Sequence, residues 1–198
     1  MLRPAWNRVY VACSLDGFMA GPDNDLTWLP GSQGETGESK PEPPHGADQG
    51  GLGFDAFIAD VGALLMGRQT YDVVAGFGGA WPYGDLPVLV ATRGDLNPVH
   101  PTVRAVAGDI GVLVDRAREA ARGKDVYLDG GTVIRQALDA GLVDDLVVTM
   151  VPIVLGAGIP LFAGATQRHA LQFVGHHGFE GGLVQLHARP AAGSSTTP

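Results

Sequence analysis

The stretch MGRQTYD, residues 66–72, sets a glycine, an arginine and a threonine where an apolar run gives way to a helical pattern. Gly67 leaves backbone N–H groups open, Arg68 can fork onto two oxygens, and Thr70 adds a hydroxyl at the positive end of a helix. That set recognises a phosphate monoester. The plainer alternative is a turn glycine, a Thr70 cap and a solvated arginine. VATRGD, residues 90–95, repeats the theme with Thr92 and Arg93. Two such strand ends side by side form a small cationic pocket, while an exposed arginine in a turn is the alternative. In LDGGT, residues 128–132, Gly130 and Gly131 allow close backbone approach to a further phosphate group, or simply make a turn. Neither GxGxxG nor GxxxxGK[ST] occurs there.

Other candidates carry less. SLDGFMAGPDNDLTW, residues 14–28, holds Asp16, Asp23 and Asp25, but their spacing does not fit a calcium loop. The six histidines are scattered without zinc spacing, so no metal is expected. Ser14 has no partner set by sequence, and Cys13 within a strand reads as core.

The elements that must position these residues follow from periodicity. RVYVACS (8–14) is a strand, with a turn at Asp16-Gly17. Residues 29–53 are almost wholly Gly, Pro and polar, a loop inserted within the domain as a lid or a dispensable segment. Phe54, Phe57, Ile58 and Val61 share one helix face, and residues 63–66 form a buried strand ending at Gly67. A short helix over TYDVVAGF, strands at 87–92 and 103–107, and a helix capped by Asp109 come next. A strand at 126–128 then runs through the paired glycines into a helix with Ile134, Ala137 and Leu138 inward. Residues 145–154 read as one long strand in which Pro152 marks a bulge or edge. LQFVGHHGF and LVQLHAR form a closing hairpin, and residues 189–198 a disordered tail. Alternating strands and helices followed by strands alone predict an α/β domain spanning 1–188. Its sheet is mixed but mostly parallel and twisted, flanked by helices, with a C-terminal antiparallel hairpin. Ligands of such sheets bind beyond the carboxyl ends of the strands, where the motifs above fall.

Composition narrows the partners. With 198 residues, 45% of them hydrophobic, the chain can build one real core. A net charge of −8 and only 13 Lys plus Arg argue against nucleic acid. No apolar run approaches a membrane span, and the N-terminus lacks the pattern of a secretory signal. A single cysteine suits a reducing cytoplasm.

The stretches VYVACSLDGFMAG, LLMGRQTYD, AWP, PVLVATR and VYLDGGTVIRQALDAGLVDDLVVTMVPIVLGAGIPLF together resemble the dihydrofolate reductase-like fold family. Within it they look most like the C-terminal reductase domain of the bifunctional riboflavin-biosynthesis deaminase/reductase. The resemblance covers about residues 8–188, apart from 29–53. It implies an NADPH-dependent reductase. Gly67, Arg68 and Thr70 would then hold the cofactor's adenosine end and phosphates, with Thr92 and Arg93 near the 2′-phosphate. Gly130 and Gly131 would pass under the pyrophosphate, flanked by Asp129, Thr132 and Val133. Ala12 and the loop from Leu15 to Ala20 would cover the nicotinamide. The two arginines fit a 2′-phosphate and so favour NADPH over NADH.

The implied reaction is hydride transfer to a C=N or C=O carbon of a small heterocyclic or carbonyl substrate, pterin- or ribosylaminopyrimidine-like. Asp55 lies where folate-reducing relatives place an acid against the substrate, and Asp16 faces it in the riboflavin type. Asp55 reads equally as a first-turn acid of its helix. A homodimer is implied by the riboflavin-type relatives. A nucleotide-binding protein of the same fold without turnover is the alternative. Valine at Gly131 is expected to abolish NADPH binding in a domain that still folds.

Overall fold

The computed structural model describes residues 4–30 and 51–191. Most of the 29–53 insertion and the end of the tail therefore lie outside the described residues. The strands are β1 (Asn7–Ser14), β2 (Phe18–Ala20), β3 (Val61–Gly67), β4 (Val88–Ala91), β5 (Val103–Val106), β6 (Asp125–Asp129), β7 (Asp145–Val151), β8 (Ile159–Pro160), β9 (Leu171–Gly178) and β10 (Val184–Pro190). The helices are α1 (Phe54–Ala59), α2 (Arg68–Gly76), α3 (Ile110–Ala121) and α4 (Gly131–Asp139). Eight strands form one sheet in the order β5-β4-β3-β6-β1-β7-β10-β9, and β2 pairs with β8 apart from it. Every neighbouring pair from β5 to β7 is parallel, and β10 runs antiparallel to both β7 and β9.

Strand alternation sends side chains to two cores. Val9, Val11, Leu65, Leu128 and Val148 meet Leu113, Val114 and Ala117 of α3 and Ile134 and Ala137 of α4. Tyr10, Leu64, Met66, Tyr127 and Val147 face the other way, against Phe57 of α1 and Tyr71 of α2. Phe57 packs its ring 4.9 Å from Tyr10 and 5.0 Å from Tyr127. Helix α3 stops where Arg122 (φ 51) and Gly123 (φ 89) turn left-handed.

Some boundaries differ from the periodicity. Val61 opens β3 instead of closing α1, because Asp60 ends that helix. Helix α2 starts at Arg68, directly behind Gly67, so Thr70 lies inside the first turn and does not cap it. Strand β7 stops at Val151, since the Ile153 N–H turns back onto the Val151 carbonyl at 2.8 Å around Pro152. Strand β10 runs on to Pro190, paired with Leu171. Among the described residues, no helix is long and apolar enough to cross a membrane.

At the amino ends of the strands a buried ionic cluster ties the sheet together. The fully buried Asp145 carboxylate accepts from Arg8 Nε (3.1 Å), His187 Nε2 (2.7 Å) and Arg189 Nε (3.1 Å). Arg8 also reaches Asp125 at 3.4 Å. The opposite, carboxyl ends are left for the site.

Candidate functional site

A cleft of about 660 Å³ opens at the carboxyl ends of the central strands. Ala12, Ala20, Gly67, Arg68 and Thr70 line it, as do Thr92, Arg93, Asp129, Gly130, Gly131, Thr132 and Val133. Leu15, Asp16 and Asp55 are not among its lining residues. The motifs converge because β3, β4, β6 and β1 lie within four adjacent positions of one parallel sheet, each ending on the same side.

The two arginines differ in how far they are already committed. Arg68 Nε lies 2.8 and 2.9 Å from the two Asp72 oxygens, one helical turn on, and its Nη1 donates to the Asp95 carbonyl at 2.5 Å. Its charge is therefore largely met by the chain itself. Arg93 is exposed and has neither ion pair nor hydrogen bond among the described residues. Beside it Thr92 Oγ1 accepts the Gly94 N–H at 3.1 Å, which shapes the turn after β4.

Gly130 sits at φ +89, and a Cβ there would collide with the Thr70 hydroxyl. A Cβ on Gly131 would come within 2.7 Å of both the Pro160 carbonyl and Arg135 Nη1. These glycines thus admit the chain's own atoms, Thr70 on one side and β8 on the other. Valine at Gly131 would push directly on β8, so it would not leave the rest of the domain undisturbed. Both glycines still line the cleft, together with Thr132 and Val133 at the amino end of α4.

Asp129 closes β6 and is buried, with the Gly130 N–H donating to its Oδ1 at 2.7 Å. Burial raises its carboxyl pKa to about 6, against the lowering effect of the Gly130 N–H and the Tyr127 hydroxyl. It lines the cleft, so a carboxyl that takes up its proton as pH falls through about 6 stands inside it.

Asp16 has another task. Its Oδ1 accepts from Ser14 Oγ at 2.6 Å and from the Leu155 N–H at 3.1 Å, and its Oδ2 from the Gly156 N–H at 2.7 Å. These bonds, the Ser14 hydroxyl foremost, lower its pKa to about 2. Asp16 is the clamp between the β1–β2 loop and the turn after β7. Leu15 is 63% exposed and is not among the residues lining the cleft. Asp55 is exposed in the first turn of α1. Arg135 makes the second clamp, donating to the Pro160 carbonyl at 2.6 Å. Together they hold β2 and β8 over the start of α4. Cys13 is buried, and burial pushes its thiol up to about 11.

Several lining residues were not expected. Tyr10 and Tyr127 stand on neighbouring strands of the face that carries α1 and α2. Tyr127 Oη donates to the Tyr10 carbonyl at 2.8 Å, and Tyr10 Oη to the Leu52 carbonyl at 2.9 Å. The repeated V-Y-[VL] at residues 9–11 and 126–128 was the available signal. Leu26 and Leu29 of the segment after β2 line the cleft, as do Val73, Val74 and Phe77 of α2. Gln69 Nε2 donates to Asn24 Oδ1 at 2.8 Å and ties the two walls. Nothing in the spacing of residues 24–29 joins them to α2.

A twisted, mostly parallel sheet with flanking helices, a C-terminal antiparallel hairpin and its cleft at the strand carboxyl ends defines the dihydrofolate reductase-like class. The chain belongs to the RibD C-terminal domain family, whose model matches residues 84–185. It is 28% identical over 180 residues to YwjB of Bacillus subtilis (strain 168), an uncharacterised protein, covering 90% of this chain and 94% of that one. A protein of Shewanella sp. PV-4 named for riboflavin biosynthesis superposes with a TM-score of 0.76 at 28% identity, over 94% of this chain and 99% of its own. The deaminase and 5-amino-6-(5-phosphoribosylamino)uracil reductase of Thermotoga maritima shares the fold, with a TM-score of 0.62 at 17% identity. The match covers 95% of this chain and 57% of the Thermotoga protein. Membership of this family points to an oxidoreductase.

Proposed function

We propose that the chain is an NADPH-dependent reductase of a small heterocyclic or carbonyl substrate. The observation that carries this reading is the pairing, in one cleft, of a phosphate-binding end with a buried protonatable carboxyl. The cleft is lined by Arg93, free of ion pairs and hydrogen bonds among the described residues, by Thr92 and by the amino end of α4. Asp129, which directly precedes that helix end, and the strand residues Tyr10 and Tyr127 line it as well.

The residues present fit a nicotinamide dinucleotide. Arg93 would take the 2′-phosphate as a charge-assisted fork, and the α4 N–H groups the pyrophosphate. Bound there, the cofactor supplies a hydride. The chain's own share is to exclude water, orient the substrate and manage one proton. Strands β2 and β8, pinned by Asp16 and Arg135, cover the β1 end of the cleft. Asp129, its pKa raised by burial, can take up a proton and pass it to the heteroatom next to the reduced carbon, directly or through a water. That proton-holding group favours a catalyst over a protein that merely sequesters a nucleotide.

Calorimetric titration with NADPH and NADH, followed by NADPH oxidation against dihydropterins, ribosylaminopyrimidines and quinonoid carbonyls, tests the reading. Equal affinity for the two nucleotides, or no binding of either, would sink it.

A further inference from the structure

Arg135 lies in the second turn of α4 and is not among the residues lining the cleft, yet it touches one that is. Its side chain folds back along the helix, and Nη2 donates to the Thr132 hydroxyl oxygen at 3.3 Å. Nη1 donates to the Pro160 carbonyl at 2.6 Å and to the Leu161 carbonyl at 3.3 Å. Gly131 makes the room, since a Cβ there would come within 2.7 Å of Nη1. The guanidinium is thus wedged between the amino end of α4 and β8, behind Thr132, which is exposed and lines the cleft.

Building on the reductase reading of this cleft, we infer that Arg135 is a positioning residue for the cofactor's pyrophosphate and acts through Thr132. An arginine only donates, so Thr132 Oγ1 is the acceptor in their bond. The hydroxyl hydrogen is then left for another acceptor, in the cleft that Thr132 lines. Without the guanidinium this exposed hydroxyl would rotate and offer an oxygen as readily as a hydrogen. With it, the hydroxyl presents a hydrogen, which suits an anionic oxygen. The place of the charge points the same way. A cation beside the positive end of a helix is unfavourable in the empty protein and becomes favourable once an anion sits there. The Pro160 and Leu161 carbonyls hold the guanidinium in that place and carry no net charge to cancel it.

Calorimetric titration with NADP⁺ tests the coupling in the parent, Thr132→Ser, Thr132→Val, Arg135→Met and the valine–methionine double variant. The serine variant is expected within about twofold of the parent, and the valine and methionine variants each at least about threefold weaker. In the Thr132→Val background, Arg135→Met is expected to cost less than about twofold, because the hydroxyl it orients is gone. An arginine that merely pinned β8 would cost the same in both backgrounds, and that result overturns the inference. So does a serine variant as weak as the valine one, or a valine or methionine variant that binds as the parent does. If Arg135→Met does not fold, Arg135→Lys takes its place with the same expected outcomes, since an ammonium cannot fork onto Thr132 and both carbonyls at once. Failure of the parent to bind NADP⁺ overturns the reductase reading instead, so the two failures are separable.

Discussion

The Asp16 carboxylate accepts the Gly156 N–H at 2.7 Å, joining the loop after β1 to the turn after β7 across 140 residues of chain. With the Leu155 N–H and the Ser14 hydroxyl on its other oxygen, it fixes the entry to β2, which lies over α4. Asp16→Ala should therefore loosen this cover without altering the phosphate end. The expected result is a fall in kcat on the order of tenfold, with NADP⁺ affinity changed by less than about threefold. Single-turnover oxidation and calorimetry separate the two. Because its pKa is lowered to about 2, the clamp stays ionised through any ordinary assay and is lost only as pH falls through that value.

Asp129 predicts the opposite dependence. Its pKa, raised from 3.8 to about 6 by burial, lets the folded chain keep a proton that the unfolded chain has already lost. The stability this confers is full below 3.8 and is lost as pH rises through about 6. The loss amounts to roughly 3 kcal/mol at most, at 1.36 kcal/mol per pKa unit. Urea midpoints measured between about pH 4 and about pH 8 should fall in the parent and change less in Asp129→Asn. If the group donates the proton, kcat/KM also falls as pH rises through that range, and the asparagine variant loses this limb.

Arg93→Ala and Arg68→Ala should not be equivalent. Arg93 has no partner to lose among the described residues, so its removal is expected to erase most of the preference for NADPH over NADH. The effect should be on the order of tenfold, or about 1.4 kcal/mol. Arg68→Ala, which first frees Asp72, should shift that preference less and cost helix stability instead. Parallel titrations of both variants with the two nucleotides decide it.

Gly131→Ala is expected to disturb structure before it disturbs binding. The added methyl meets the Pro160 carbonyl and Arg135 at 2.7 Å, so β8 must move. A lowered Tm with weakened protection of β2 and β8 amides in hydrogen exchange is the expected outcome. A normal Tm with lost nucleotide binding would restore the reading of this glycine as the floor under a phosphate.

Asp145→Ala leaves Arg8, His187 and Arg189 without their shared acceptor at the far end of the sheet. Breaking such a buried cluster costs about 3–5 kcal/mol, which denaturant titration should register.

Much of the fold was legible because the signals are local. Alternation in VYVACS and VYLD marks buried strands, and the stripe of Leu113, Val114, Ala117 and Ala121 marks α3. Boundaries failed where a tertiary hydrogen bond or a turn decided them. Examples are the Ile153 return onto Val151 at the end of β7 and the direct passage from Gly67 into α2. The two-residue strand β8 has no sequence signal at all; it exists because Ile159 and Pro160 find β2.

From sequence alone came the order of the motifs, and with it the fold family and the set of strand ends that meet at the cleft. A strand end is chosen by local chain chemistry, and a parallel sheet brings such ends to one side whatever the details. The use of each side chain was decided only by the tertiary structure. Asp16 clamps because the turn at 155–156 presents two N–H groups to it, Arg68 is spent because Asp72 lies one turn away, and the pKa of Asp129 is raised because the folded chain removes water from around it. Each of these depends on what a charge finds around it after folding, and that is a property of neighbours far away in sequence.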